Sequence, residues 1–184
     1  MVINGRYFDN RVFVANQADL LFREEEFIER IKLGLIGPDT KILGGSIGPD
    51  VVLGTKCIVM GHLTGLIRAG DNCVFGWESR IKGGVFGDNV VIGDYVIIGS
   101  QCRVGSLVQI GNATTLAGRT HIGDYVIIGA SCALENTTVD SETVLGNHTL
   151  TEESPHIPSG SVVPNGATIV GAHGKQSMIE IIAF

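Results

Sequence analysis

A period of six residues runs through most of this chain and restricts its fold more than any other feature. From Phe86 an apolar residue recurs without a slip at Ile92, Ile98, Val104, Ile110, Leu116, Ile122, Ile128 and Leu134. Glycine follows it at Gly87, Gly93, Gly99, Gly105, Gly111, Gly123 and Gly129. A small or β-branched residue stands four places on, at Val90, Val96, Cys102, Val108, Thr114, Thr120, Val126 and Cys132. Six is a multiple of the strand period of two and does not match 3.6, so each unit reads as a short strand closed by a Gly-Asp or Gly-Asn type turn. A repeat this short cannot bury a face by itself and must stack on its neighbours, which predicts a solenoid.

The frame extends upstream through Ile47, Leu53 and Val59, and through Ala69, Phe75 and Ile81, with a five-residue step before Phe86. After a second five-residue step it continues at Val139 and Leu145, and a last set runs from Ile157 to Ala172. The segment GDYVIIG occurs twice, at Gly93 to Gly99 and at Gly123 to Gly129. Positions one and five of a unit share a strand face and are expected inside. All four cysteines, Cys57, Cys73, Cys102 and Cys132, fall on position five, where they read as small buried fillers. They show no CxxC or CxH pairing, so no zinc site is suggested.

Glycine supplies 26 of 184 residues against only 5 prolines, which suits a turn at every unit and excludes collagen. The hydrophobic fraction is 44% with 6% aromatics, so the core is expected to be aliphatic. A net charge of −6 with no run of Lys or Arg argues against nucleic acid and anionic membranes as partners. No stretch has the length of a membrane span or of a signal-peptide core, so a cytoplasmic protein is expected.

Residues 1–35 are off-frame. Two extended pieces, VINGRYF and RVFVAN, precede an expected helix from Ala18 to about Leu33. Its Leu20, Leu21, Phe27, Ile28 and Ile31 form a stripe opposite Glu24, Glu25, Glu26 and Glu29, suited to covering the open first coil. The expected organisation is a capping segment over 1–35, the repeat domain over 36–172 and a tail over 173–184, in which SMIEIIAF caps the other end or reaches a neighbouring subunit.

On these units the chain resembles the hexapeptide-repeat superfamily, whose units read [LIV]-[GAED]-x-x-[small]-x. The resemblance implies an all-β fold, a left-handed parallel β-helix of three units per coil, and a homotrimer. Most enzymes of that superfamily transfer an acyl group from acyl-CoA or acyl carrier protein, and a minority are zinc-dependent carbonic anhydrases of the γ class. Both place histidines outside the prism at subunit interfaces. In the stretch from Ile110 to Gly123 the positions of two γ-class zinc ligands hold Asn112 and Ala117, so no metal is expected.

The run NATTLAGRTHIGDYVIIGA is also similar to the UDP-N-acetylglucosamine acyltransferases of lipid A synthesis. There that family's glycine-histidine becomes Gly118-Arg119, and its catalytic histidine falls on Ser100. The GAHGK run at 171–175 resembles a CoA-proximal ending of acetyltransferases in which Lys175 alone carries over.

Stacking residues 18 apart gives a further route to a site. The outward columns are then Val91, Gln109, Ile127; Ile97, Thr115, Ala133; and Arg103, His121, Val139. Gln101, Arg119 and Thr137 flank the third. Two faces are thus apolar or small, as a subunit contact requires. The third groups cations around an imidazole. His121 is the candidate general base, with His62, in the irregular segment VMGHLTGLIRA, the second candidate and Arg68 beside it of interest. Arg103, Arg119 and Lys175 are the candidate contacts to the phosphates of acetyl-CoA or another acyl donor. His148, His156 and His173 read as turn or loop residues, and Asp88, Asp94, Asp124 and Asp140 as structural turn acids. Three functions follow in order of preference: acyl transfer, such as acetyl transfer to an oxygen or nitrogen of a small polar acceptor like a sugar nucleotide; a non-catalytic trimeric scaffold or binding protein; and last a γ-class carbonic anhydrase-like protein.

Overall fold

The structure, a computed structural model, describes residues 6–7, 12–15, 19–20, 23–44, 46–47, 51–53, 55–171 and 179–182. The chain winds into a left-handed parallel β-helix of about seven coils with three flat sides. One side is a ten-stranded sheet running through Lys41–Ile42, Ile58–Val59, Val74–Phe75, Val91–Ile92, Gln109–Ile110, Ile127–Ile128, Val144–Leu145 and Val162–Val163. The second, also ten-stranded, contains His62–Leu63, Arg80–Ile81, Ile97–Ile98, Thr115–Ala117, Ala133–Glu135, Leu150–Glu152 and Thr168–Gly171. The third has seven strands, in the order Val51–Leu53, Ile67–Ala69, Gly84–Phe86, Arg103–Val104, His121–Ile122, Thr138–Val139 and His156–Ile157.

The inside of the prism is the repeat seen end-on. Ile92, Ile98, Leu116, Ile122 and Ile128 are at most 1% exposed. Position five is buried as well, and its threonines stay satisfied there. Thr114 Oγ1 donates to the Gly129 carbonyl (2.9 Å) and Thr149 Oγ1 to that of Gly146 (2.7 Å), one coil away or within the same turn. The four cysteines are free and buried.

Turn acids and amides stitch the coils together. Asp94 Oδ1 accepts the Trp77 N–H (2.8 Å), Asn112 Oδ1 the Asp94 N–H (3.0 Å), and Asp124 Oδ1 the Ser106 N–H (2.7 Å). These carboxylates are therefore structural. The glycine of the unit is set by the same stacking. A Cβ on Gly111 would lie 2.6 Å from the Ala130 nitrogen.

The ends extend the sheets. Arg6–Tyr7 pairs antiparallel with Phe13–Val14, which joins the first sheet beside Lys41–Ile42. Asp19–Leu20 is a strand beside Ser46–Ile47, so the helix is shorter than the sequence suggests, covering Glu24–Lys32. Arg23 at its start offers no side-chain cap. Phe27 and Ile31 are buried in the core, as is Leu20 from its strand, while Leu21 lies outside the described residues. Ile179–Ile182 folds back antiparallel on Thr168–Gly171. Among the described residues no helix is long and apolar enough to cross a membrane.

One expectation about register is corrected. Stacking by a uniform 18 puts Val139 outside, above His121, and Thr137 above Arg119. Pairing instead places Thr138 beside His121, with Val139 beside Ile122 and fully buried. Asn136 takes the place of Thr137, its Oδ1 accepting the Arg119 N–H at 3.1 Å. The cause is the five-residue step from Leu134 to Val139, which removes one residue from the corner between the second and third sheets.

Candidate active site on the third face

The outward residues of the third sheet, read up the prism, are Val52, Arg68, Val85, Arg103, His121, Thr138 and His156. No carboxylate stands among them. The acids of the adjoining corner are engaged, Asp88 Oδ1 by the Asp71 N–H (2.8 Å) and Asp124 Oδ1 by Ser106. The outward strand residues of this sheet therefore carry positive charge and no negative charge, although the chain as a whole is −6.

Two connected depressions lie along the face. The lower has a volume of about 440 Å³ and is lined by Leu66, Arg68, Val85, Ser100 and Arg103 among others. The upper, about 410 Å³, is lined by Gln101, Arg103, Arg119, Thr120 and His121. Gln101 and Arg103 belong to both, so they form one groove parallel to the prism axis. Both volumes fall in the range of small-molecule sites.

The corner from the second to the third sheet takes six residues at Leu63 to Ala69 and at Ile98 to Val104, but five at Ile81 to Phe86. The short corner is recessed between its longer neighbours. Gly84 there has φ +130, and a Cβ would lie 2.8 Å from the Cys102 carbonyl oxygen, so the backbone can follow this path only as glycine.

The structure thus brings His121, Arg103 and Arg119 together as the sequence suggests. Arg119 Nε donates to Gln101 Oε1 at 3.4 Å, which steers its guanidinium along the groove. His121 and all three arginines, including Arg68, are exposed. His62 is not part of the group: it sits half-buried on the second sheet, beside Arg80 and 3.9 Å from Glu78. Lys175 and His173 lie outside the described residues. Ser100, where the lipid A enzymes' catalytic histidine would fall, lines the lower depression.

Two groups escape the reading by spacing. Arg68 joins the column because the short corner shifts the register by one. His156 is a strand residue of this face and no loop residue, and its Nε2 lies 2.8 Å from Asp140 Oδ2. It is two strand spacings, about 10 Å, above His121. His148 is an exposed turn residue with φ +58. Among the described residues no three His, Cys, Asp or Glu side chains converge as a metal site would need. The thiols of Cys57, Cys102 and Cys132 are pushed above their ordinary range, Cys57 by its hydrogen bond to Cys73 and then burial, the others by burial. None of the three is a thiolate nucleophile at neutral pH.

No family model matches the chain, and no curated protein matches it significantly. Solved structures do match. The UDP-N-acetylglucosamine acyltransferase of Francisella novicida aligns with a TM-score of 0.53 at 18% identity, over 93% of this chain and 67% of that one. The Arabidopsis UDP-N-acetylglucosamine acyltransferase gives 0.44 at 17% over 95% and 73%. The acetyltransferase domain of PglB from Neisseria gonorrhoeae, in complex with acetyl coenzyme A, gives 0.40 at 20% over 80% and 60%. At these identities the likeness is one of architecture. The class defined is a hexapeptide-repeat left-handed β-helix protein, with a cationic groove on one face.

Proposed function

We propose that the chain is an acyltransferase that moves an acetyl group from acetyl-CoA to a hydroxyl or amine of a small polar acceptor, such as a sugar nucleotide, as a homotrimer. The observation that carries the reading is the joining of His121, Arg103 and Arg119 along one groove, on a face whose outward strand residues include arginines and histidines and no carboxylate. The fold it shares with the Francisella acyltransferase supports it.

In this reading His121 accepts the proton of the acceptor's hydroxyl or amine as that group attacks the thioester carbonyl. Backbone N–H groups stabilise the oxyanion. The carbon–sulfur bond then breaks and the thiol of CoA leaves with the proton carried by the imidazolium. Arg103 and Arg119 pair with donor phosphates, and Lys175 adds to them. The exposed apolar side chains Val91, Ile127 and Val144 on the first face and Ile97 and Leu150 on the second form the subunit contact, leaving the third face at the mouth of an inter-subunit cleft.

Binding of CoA tests the reading directly. Free CoA at 100 times its Kd should stabilise the fold by about 2.7 kcal/mol, read as a rise in melting temperature, and R103A should weaken that effect. Absence of CoA binding by calorimetry at millimolar concentration would favour the non-catalytic scaffold.

A further inference from the structure

That mechanism reaches the lower depression only through Arg103, which lines both hollows, and the rest of its lining has a chemistry of its own. Leu66 is 66% exposed and Val85 51% exposed, a large apolar area for two neighbouring positions on a small domain. Arg68 and Arg103 flank Val85 on the adjacent strands, and both line the same hollow. Neither forms a salt bridge among the described residues. Ser100 and Gln101 overhang it from the next coil and bring hydroxyl and amide groups to its rim.

Two guanidinium groups without a carboxylate partner, set around an open apolar floor, fit a ligand that is anionic at one end and apolar at the other. A fully hydrophilic anion would leave Leu66 and Val85 in water, and a neutral apolar ligand would leave the arginines unused. Gly84 of the five-residue corner lies in the wall of the hollow, where a Cβ would meet the Cys102 carbonyl oxygen at 2.8 Å, so part of that wall is backbone.

We propose that this recess binds a small amphipathic anion, a phosphate monoester or a carboxylate carrying an apolar group, through Arg68 and Arg103 with Leu66 and Val85 as its apolar floor. Resting on the acyl-transfer reading, the same recess seats the acceptor. Arg68 and His121 are three strand spacings apart, about 14 Å along the backbone, and the groove between them is continuous. An acceptor held by its anionic end at Arg68 extends its hydroxyl or amine toward His121.

The probes are phenyl phosphate, phenylacetate, inorganic phosphate and benzyl alcohol, titrated into the full chain by calorimetry and by NMR. Phenyl phosphate or phenylacetate should bind more tightly than either inorganic phosphate or benzyl alcohol, and the tighter of the two identifies the anion. R68Q should weaken the better probe about 10- to 100-fold, the range expected for a lost charged hydrogen bond, while CoA affinity changes less than about twofold. Arg68 is exposed, so R68Q should keep the wild-type melting curve, and L66S, which removes the floor but no charge, provides a second variant. L66S should narrow the preference for the phenyl compounds over inorganic phosphate. No binding of either aromatic anion, or binding unchanged in both variants, overturns the site. Probe binding without CoA binding keeps the recess and removes acyl transfer. Competition between CoA and the probe with equal sensitivity to R68Q assigns the recess to the donor and overturns the acceptor role.

Discussion

Arg68 and Arg103 stand on one face of the prism with only Val85 between them, two strand spacings apart, although a full coil and a short one separate them in the chain. Uniform stacking does not align them. The pairing exists because the corner from Ile81 to Phe86 is one residue short.

The general base can be assigned by two substitutions. Replacing His121 by alanine should lower turnover by about 10²–10⁴-fold with CoA affinity retained, the usual contribution of a positioned base. Replacing His156 should leave turnover within a few-fold, since its imidazole is held by Asp140 at 2.8 Å, two strands away. The opposite pattern, with H156A inactive and H121A active, would move the base to the His156–Asp140 pair.

Assembly rests on the apolar faces. Light scattering should give about three times the 19.5 kDa of the chain. Ile127 is 45% exposed in the isolated chain, and I127D should dissociate the trimer, because burying an unpaired charge costs several kcal/mol. A wild-type monomer at micromolar concentration would refute the trimer.

Gly84 offers a test of the recessed corner. G84A places a Cβ 2.8 Å from the Cys102 carbonyl oxygen at φ +130, which should destabilise the protein by about 1–3 kcal/mol. Urea unfolding checks it: a midpoint equal to wild type would mean that the corner does not take this path.

The buried thiols predict a dependence on pH. Cys102 and Cys132 have pKa values raised by burial in the fold, whereas in the unfolded chain they titrate near the ordinary ~8.5. Below that value both states hold the proton and the stabilisation is complete. Above it the unfolded state loses protons that the folded state keeps, so stability should fall by about 1.4 kcal/mol per pH unit for each thiol. Unfolding measured between pH 7.5 and 10 should show a slope that becomes shallower in C102A and C132A. An unchanged slope would mean that other groups set it.

The period of six by itself determined the strand lengths, the inward positions, the place of the cysteines and the kinship of Arg103, His121 and Arg119, because a side chain's direction in a strand alternates locally with its neighbours. It could not say what meets what once a corner loses a residue. A slip of one position turns a side chain from outside to inside, which is why Val139 is buried and Thr138 stands beside His121. The helix also ended up shorter than its apolar stripe, since Leu20 gains more from pairing as a strand beside Ile47 than from extending an isolated helix turn. Only the wound chain decided that Arg68 and His156 share the face of His121 and that His62 does not. Lateral neighbours in a solenoid are set by the summed lengths of all three corners, and no single repeat carries that sum.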